Sequence, residues 1–455
     1  MITIKKSNIL IISNCDTKTL GVAKKALTIK NPAYARVVRI TGNAWAAQRL
    51  FKYFKEDKKS GDLILPRAFC GRFTAYLDKN EIEYEVESNL NEPKADFNDW
   101  MPIPMENEYK HQNKIVADTI KAELGVVYAG TGAGKTIVSC EVSRRLGLKT
   151  LIICPTTVIA SQFKLEYKKW FKYDVGIIDK DHKDINNDVI VATWQSLASK
   201  DCYWAKRISS QVGLLIIDEC HGIVSKVRIK TLECFNPKHI YGLSGSPNRS
   251  KDDGKTDVIF FYLGPIISKY EETMIKPTVE VIYTRVKIPV SANYHEMIDT
   301  MVANDSRNTL IQGIAVGEAV AGKKVIILTK RREHCEILKE KLKDFNVYYA
   351  DSDDKNRNDI LNSMRAGKYK FNILLGTFSL LSTGLDIPEL DRLIIAGDLK
   401  SDVLTVQIAG RILRFFAGKT DAKIYDLCDN ENPILKRQYF ERKRLYDVKG
   451  WEIIF

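Results

Sequence analysis

The sequence predicts an α/β protein in which two tandem parallel-sheet lobes follow a small basic α/β N-terminal domain. The first observation behind this is a rhythm of short, wholly apolar runs separated by amphipathic stretches: Gly125-Val-Val-Tyr128, Thr150-Leu-Ile-Ile153, Val189-Ile-Val191 and Leu214-Leu-Ile-Ile217. Strands apolar at every position are buried on both faces, which is the signature of a parallel sheet covered by helices. The second observation is that the rhythm restarts at Lys324-Val-Ile-Ile-Leu328, Ile373-Leu-Leu375 and Arg392-Leu-Ile-Ile395. Gly264-Pro265 and Lys276-Pro277 punctuate the joint between about Gly254 and Val290. The predicted division is 1–105, 106–270 and 271–455, the last part closing on a basic helix that ends near Gly450.

The N-terminal part is the third observation. Ile9-Leu-Ile-Ile12 and Arg36-Val-Val-Arg-Ile40 read as strands around a helical stretch near Trp45 to Phe54. The acidic run Glu81 to Glu87, then Asn91-Glu-Pro93 and Met101-Pro-Ile-Pro104, reads as a linker ending near Glu106. Of the chain's net charge of +13, most lies here: Met1 to Leu77 holds 15 Lys/Arg against four acids. Arg49-Leu-Phe-Lys-Tyr-Phe-Lys55 interleaves cations with aromatics, as a polyanion-binding surface does, whereas a merely solvated basic face would not need the aromatics.

Composition excludes other classes. Hydrophobic residues make up 45% and charged residues 28% of 455, a globular balance that is long enough for about three domains. No run of 18 apolar residues occurs, so no membrane span is expected. The N-terminus alternates like a strand and lacks a small-residue cleavage site, so it reads as folded protein rather than a leader. The nine cysteines show no CxxC spacing, which argues against zinc or an iron–sulfur cluster and for a reduced, cytoplasmic setting.

Three segments carry chemistry. Ala129-Gly-Thr-Gly-Ala-Gly-Lys-Thr136 follows a strand and opens a helix, with Ala in place of the first glycine of a phosphate-binding loop. Ala129, Gly130, Thr131, Gly132, Ala133 and Gly134 are small enough for backbone N–H groups to wrap phosphates at a helix N-terminus. Lys135 is placed to reach the β- and γ-phosphates of ATP, and the Thr136 hydroxyl to ligate Mg²⁺. The strand Leu214-Leu-Ile-Ile217 then delivers Asp218 and Glu219, the first suited to hold Mg²⁺ and the second to orient and deprotonate a water. In the second lobe, Gln407-Ile-Ala-Gly-Arg-Ile-Leu-Arg414 puts Arg411 and Arg414 on one helical face, where guanidinium groups could stabilise charge on the γ-phosphoryl. A bland alternative exists for each segment alone. Their conjunction in one chain leaves those alternatives little room.

From about Tyr109 to Asp429 these segments resemble the superfamily 2 helicases of the DExH type, with RecA-like lobes. Glu108-Tyr-Lys-His-Gln112 resembles the adenine-recognising element, which implies that Gln112 reads the base. Cys154-Pro-Thr-Thr157 with Gln162-Phe163, and Ala192-Thr-Trp-Gln-Ser-Leu197, resemble motifs that touch the nucleic-acid backbone. That implies contacts from Pro155, Thr156, Thr193 and Gln195. Leu243-Ser-Gly-Ser-Pro-Asn-Arg249 resembles the coupling motif and Ile326-Ile-Leu-Thr-Lys330 the first motif of the second lobe, with Thr329 near the strand. Gly376 to Pro388 resembles the next, which implies Thr377 near the strand and Gly384 and Asp386 near the nucleotide. Two departures stand out: Thr383 replaces a common Glu, and the box reads Asp218-Glu-Cys-His221, with Cys220 reading as a tolerated neighbour rather than a redox switch.

Compact lobes behind a basic module are most similar to phage branch-migrating helicases of the UvsW and T5-type group. The resemblance implies an ATP-dependent motor that closes its lobes on ATP and Mg²⁺ and unwinds or branch-migrates forked and junction DNA while tracking a single strand. It implies a cytoplasmic enzyme, with monomer as the default state. One rival is an RNA-remodelling helicase, and a second, of another class, is the translocating subunit of a restriction-type nuclease. A third is a binding module whose ATPase acts only as a clamp.

Overall fold

The computed structural model describes residues 1–105, 110–130, 133–245, 256–270, 276–291, 293–351, 353–354, 356–365, 367–378, 387, 389–399, 419 and 421–455. Two compact units divide the chain, Met1–Glu272 and Thr273–Phe455.

The first unit begins with β1 (Ile2–Lys6), β2 (Ile9–Ser13), β3 (Thr28–Lys30), β4 (Leu50–Lys52), β5 (Lys55–Glu56), β6 (Leu63–Pro66) and β7 (Tyr84–Ser88). Five of these form a sheet in the order β5-β6-β2-β1-β7, while β3 and β4 pair separately. Alternate residues Ile2, Ile4, Leu10 and Ile12 meet Leu20 and Ala23 of the helix Thr17–Ala26 and Phe73 and Leu77 of the helix Cys70–Lys79. Asp16 caps the first of these helices, accepting from the backbone N–H groups of Lys18 and Thr19 at 2.9 Å each.

Three local expectations are corrected here. Arg36–Ile40 lies in a helix, Tyr34–Thr41, not a strand. Its start is set by Asn31, whose side chain accepts from Ala33 N–H at 3.0 Å, and its end by Gly42, whose φ of 65° is left-handed. Turn chemistry on either side thus overrides the β-branched run between. The stretch Trp45 to Phe54 is a short 3₁₀ turn, Ala44–Ala46, followed by β4, because Leu50–Lys52 pairs antiparallel with β3. The acidic run read as linker contains β7, which pairs in parallel with β1 and sets Glu87 against Lys5 and Glu85 against Thr3. Alternating charge on an exposed edge strand looks like linker in one dimension.

The first lobe holds β8 (Leu124–Ala129), β9 (Thr150–Cys154), β10 (Gly176–Ile178), β11 (Val189–Thr193), β12 (Leu214–Asp218), β13 (His239–Ser244) and β14 (Ile266–Tyr270). All seven run parallel, in the order β10-β11-β9-β12-β13-β8-β14. Ile152, Val191, Leu214 and Ile216 face one apolar layer, and Leu151, Ile190, Leu215 and Ile217 face the other. Residues 91–105, placed with the N-terminal domain on sequence grounds, strap across this lobe. Trp100 stacks between Phe97 at 3.9 Å and Phe171 at 4.2 Å, and Ile103 N–H donates to buried Glu141.

Arg67 joins the N-terminal sheet to the lobe. Only 3% exposed, it donates to Glu123 at 2.8 Å, to the carbonyl of Lys238 at 2.6 Å and to the carbonyl of Pro237. Lys6 adds a 2.6 Å pair to the same Glu123.

The second unit holds β15 (Thr278–Tyr283), β16 (Val325–Thr329), β17 (Val347–Tyr349), β18 (Ile373–Thr377), β19 (Arg392–Ile395), β20 (Lys423–Cys428) and β21 (Glu452–Ile454). They form a second all-parallel sheet, β17-β18-β16-β19-β20-β15-β21. The basic C-terminal helix, Pro433–Lys449, ends on Gly450 in the left-handed region. It is tied down by buried Arg442, which donates to Asp426 at 2.6 Å and to the Leu399 carbonyl at 2.8 Å. Arg307 does the same for the helix Asp305–Val320, reaching Asp429 at 2.9 Å and the Ala396 carbonyl at 2.8 Å. Among the described residues no helix is long and apolar enough to cross a membrane, and no group of three or more His, Cys, Asp or Glu could hold a metal.

Arg67→Ala leaves two backbone carbonyls and part of Glu123 without their donor in a buried place, and is expected to cost about 3 kcal/mol. Arg67→Lys rescues little of it, because one ammonium cannot replace a planar fork. Urea unfolding of the three proteins checks both values.

Candidate functional site

The candidate residues of the first lobe converge because parallel strands end on the same edge. At that edge β8 runs into the small-residue loop, β9 into Pro155, β11 into Gln195, β12 into Glu219 and β13 into Gly245. Ligand sites of parallel sheets form at this carboxyl edge.

Gly130 N–H donates to the Tyr270 carbonyl at 3.3 Å, so edge strand β14 braces the loop, and the Tyr270 ring stacks on His111 at 4.1 Å. Sequence reading missed this brace, since nothing local marks an edge strand 140 residues away as a neighbour. Lys135 opens the helix Lys135–Leu146, and its ammonium bends back to the carbonyls of Ala129 at 3.2 Å and Gly130 at 3.4 Å. A cation beside a helix N-terminus is an arrangement that suits an anion. Thr136 follows, half-buried, while Thr131 and Gly132 lie outside the described residues. Gly134 has a φ of 74°, and the buried Gln112 amide fills the space that a Cβ there would need. Gln112 is thus held against the loop itself.

Asp218 closes β12 in a buried position. Burial, and then the neighbouring Glu219 carboxylate, push its pKa up to about 7, with Lys135 pulling the other way. Two crowded carboxylates facing one lysine form an oxygen-rich locus that a hard divalent cation would relieve. Thr136 and Asp218 therefore fit magnesium in donor chemistry. Glu219 adopts a φ of 48°, an uncommon backbone for a side chain with a Cβ. His221 Nδ1 lies 3.1 Å from Glu219 Oε2 and 3.3 Å from Ser244 Oγ, linking the box to the end of β13. Cys220 is fully buried with its thiol pKa pushed up by that burial, and its Sγ sits 2.9 Å from where a Cβ on Gly242 would be. Its position is one of packing.

The residues assigned to nucleic acid differ in what they offer. Thr156 caps the helix Thr157–Phe171 with Pro155 beside it at the strand end. Thr193 caps the helix Trp194–Ile208, and exposed Gln195 donates to the Pro155 carbonyl at 3.4 Å, which ties the two segments into one rim. In the second unit Thr377 ends β18 half-buried, whereas Thr329 is 1% exposed and its hydroxyl meets His334 Nδ1 at 2.7 Å. Gly384, Asp386, Gln407, Arg411 and Arg414 lie outside the described residues.

The Asn308 amide donates to the Val302 carbonyl, so its oxygen accepts from His334 Nε2 at 2.8 Å, and the Thr329 hydroxyl, 2.7 Å from Nδ1, donates to it when the ring is neutral. Burial, then the Arg307 guanidinium, lower the His334 pKa from 6.5 to about 3.

Two predictions follow from these contacts. A folded-state pKa below the unfolded one means this contribution is complete above pH 6.5 and is lost as pH falls from 6.5 toward 3. Unfolding free energy should therefore fall with acid across that window, by up to about 1.4 kcal/mol per pH unit from this group. His334→Gln should remove that part of the slope in urea titrations at successive pH values. Gly134→Ala should weaken fluorescent-nucleotide binding at least ~10-fold, through the positive φ and the displaced amide. Gln112→Ala in the same chain should restore only the steric part.

Comparison with known proteins gives the family. Residues 106–249 match the family described as "Type III restriction enzyme, res subunit", and residues 305–416 match "Helicase conserved C-terminal domain". The probable helicase D10 of Escherichia phage T5 is 28% identical over 344 residues, covering 72% of this chain and 73% of that protein. The ATP-dependent DNA helicase uvsW of Enterobacteria phage T4 is 24% identical over 410 residues, covering 81% and 80%. The solved structure of S. cerevisiae Dbp5 bound to RNA and ADP BeF3 shares the fold with a TM-score of 0.55 at 14% identity, covering 76% of this chain and 89% of that one. The two seven-stranded sheets are the RecA-like lobes, and the chain belongs to the ATP-hydrolysing superfamily 2 helicases.

Proposed function

We propose that this helicase is a DNA motor that unwinds or branch-migrates forked and junction DNA. The observation that carries the hydrolytic part is the meeting of Lys135, Asp218 and Glu219 at one sheet edge, with Lys135 and Glu219 both acting on the Asp218 carboxyl. In this reading the Lys135 ammonium leaves the loop carbonyls for the β- and γ-phosphates of ATP. Thr136 and Asp218 hold magnesium, which when bound supplies positive charge to the phosphate oxygens. Glu219 takes a proton from the attacking water, and its carboxylate is steered by His221. Ser244, on the other side of His221, is the route by which a change at Glu219 reaches the coupling motif. For Gln407, Arg411, Arg414, Gly384 and Asp386 the proposal rests on sequence alone: guanidinium charge for the transition state and backbone near the nucleotide.

The rim of Pro155, Thr156, Thr193 and Gln195 is proposed to grip a strand by its phosphates, and Thr377 of the second unit is proposed, on sequence grounds, to touch one as well. Contacts of that kind tolerate any sequence and weaken as salt rises. Thr329 enters through its backbone or as the clamp on His334, since its hydroxyl is already bonded. DNA rather than RNA is favoured by the T4 relative, a DNA helicase by name. The match to a restriction-enzyme subunit keeps a nuclease-associated translocase as the second reading.

ATP hydrolysis measured on forks, four-way junctions, single strands and RNA duplexes tests this. Forked DNA should stimulate most. Lys135→Ala and Glu219→Gln should each lower stimulated hydrolysis by about 10²-fold or more. Greater stimulation by RNA, or magnesium-dependent cleavage of the DNA, would replace the reading with one of its rivals.

A further inference from the structure

From Thr17 to Lys55 the chain holds nine Lys/Arg and no acid. Within that stretch β3 and β4 form a two-stranded stalk, paired Thr28↔Lys52, Ile29↔Phe51 and Lys30↔Leu50 and separate from the five-stranded sheet. The stalk is closed by Asn31, whose N–H donates to the Arg49 carbonyl at 3.0 Å and whose side chain donates to the Gln48 carbonyl at 2.7 Å. Above it stand the helix Tyr34–Thr41 and the turn Ala44–Ala46. Between Leu27 and Leu63 every described side chain is at least partly exposed, so this arm contributes nothing fully buried to the core.

Its tip presents Trp45, 94% exposed, beside Ile40, 71% exposed. The Trp45 backbone is nonetheless held: its N–H donates to Asn43 Oδ1 at 2.8 Å, and Gly42 ends the preceding helix in a left-handed conformation. An ordered turn thus carries an indole into solvent at a standing hydrophobic cost. Lys30, Arg39, Arg49 and Lys52, all exposed, flank it. At the root of the arm, Tyr53 packs on Phe261 of the first lobe at 5.8 Å, so the arm is anchored to the body that carries the nucleotide loop.

A flat aromatic tip on a stem of one charge sign matches one kind of partner: a polyanion that offers flat, unstacked rings. We infer that this arm is a wedge, in which Trp45 stacks on the base exposed where a duplex opens while the flanking cations hold the phosphates on either side. The inference rests on the forked-DNA reading above and gives the N-terminal domain a specific part in it. An anionic membrane is the other surface that suits a basic, tryptophan-tipped arm, and the test below separates the two.

The test uses the full-length protein and a DNA fork carrying 2-aminopurine as its first unpaired base. Trp45→Ala should weaken fork binding about tenfold and abolish the fluorescence change of that base, with blunt-duplex affinity changed less than about twofold. Trp45→Phe should keep most of both signals. The double variant Arg39→Ala/Arg49→Ala should lower the slope of log K against log salt by about 1.8, whereas Trp45→Ala leaves the slope alone. An unaltered melting temperature for Trp45→Ala shows that the fold is intact. Equal fork affinity of wild type and Trp45→Ala overturns the wedge, as does an equal loss on fork and blunt duplex. Binding to anionic lipid vesicles that depends on Trp45, with fork binding intact, also overturns it. Tighter binding to an RNA fork, with the same tenfold dependence on Trp45, supports the wedge and removes only the choice of DNA.

Discussion

Burial of both faces of two parallel sheets is the constraint from which the rest of this molecule follows. In β12 the side chains of Leu214 and Ile216 enter one apolar layer and those of Leu215 and Ile217 the other, and β16 repeats this with Ile326 and Leu328 against Val325 and Ile327. Each such side chain contributes about 1.5–3 kcal/mol when buried, so the central strands are the least negotiable part of the fold. A parallel strand order also forces every strand of a lobe to end on the same edge. Loop, carboxylates and rim residues meet there because the sheet allows them nowhere else.

Chemistry is concentrated at that edge because the sheet brings charge to the limit of its own dry interior. Asp218 is the first polar residue after four buried apolar ones, and burial is the largest cause of its raised pKa. Glu219, one residue on, takes a left-handed backbone that turns the chain out of the sheet. The strain and the desolvation are both tolerable because β9 and β13 hold β12 on either side. His221 and Ser244 then carry the geometry of the carboxylate to the neighbouring strand end. Gln112 plays a comparable part for the loop, its amide seated against Gly134, whose φ of 74° side chains with a Cβ rarely adopt.

The N-terminal domain follows a different economy. Its sheet is ordinary, with one face on its helices, but its charges are sorted. The cations between Thr17 and Lys55 have no acids among them, while acids collect in β7 at the far edge of the sheet. One cation, Arg67, is withdrawn from the surface altogether and spent on backbone carbonyls of the first lobe. Through Arg67 and Lys6 this domain is joined to the first lobe within one compact unit rather than hung from it on a linker.

What the sequence by itself determined is the pair of lobes and the candidate residues of the small-residue loop and the Asp-Glu box. Apolar runs such as Leu151–Ile153 and Leu214–Ile217 are satisfied between two layers, and small residues between a strand and a helix are the pattern of a phosphate-binding loop. The edge strands β10, β14, β17 and β21 were not legible, because they run only three to five residues, too few for a pattern to show, and owe their pairing to another strand of the sheet. Nor were the helix at Arg36, the strand in the acidic run or the strap through Trp100, where turns, cross-strand charge and stacking outweigh local propensity. The same holds within the site. Lys135, Asp218 and Glu219 announce themselves by spacing, while the brace at Tyr270, the seat of Gln112 and the burial of Thr329 exist only through contacts. Spacing along the chain records what the backbone must do locally. Which polar groups remain free to meet a ligand is decided only when distant segments take up the rest of their hydrogen bonds.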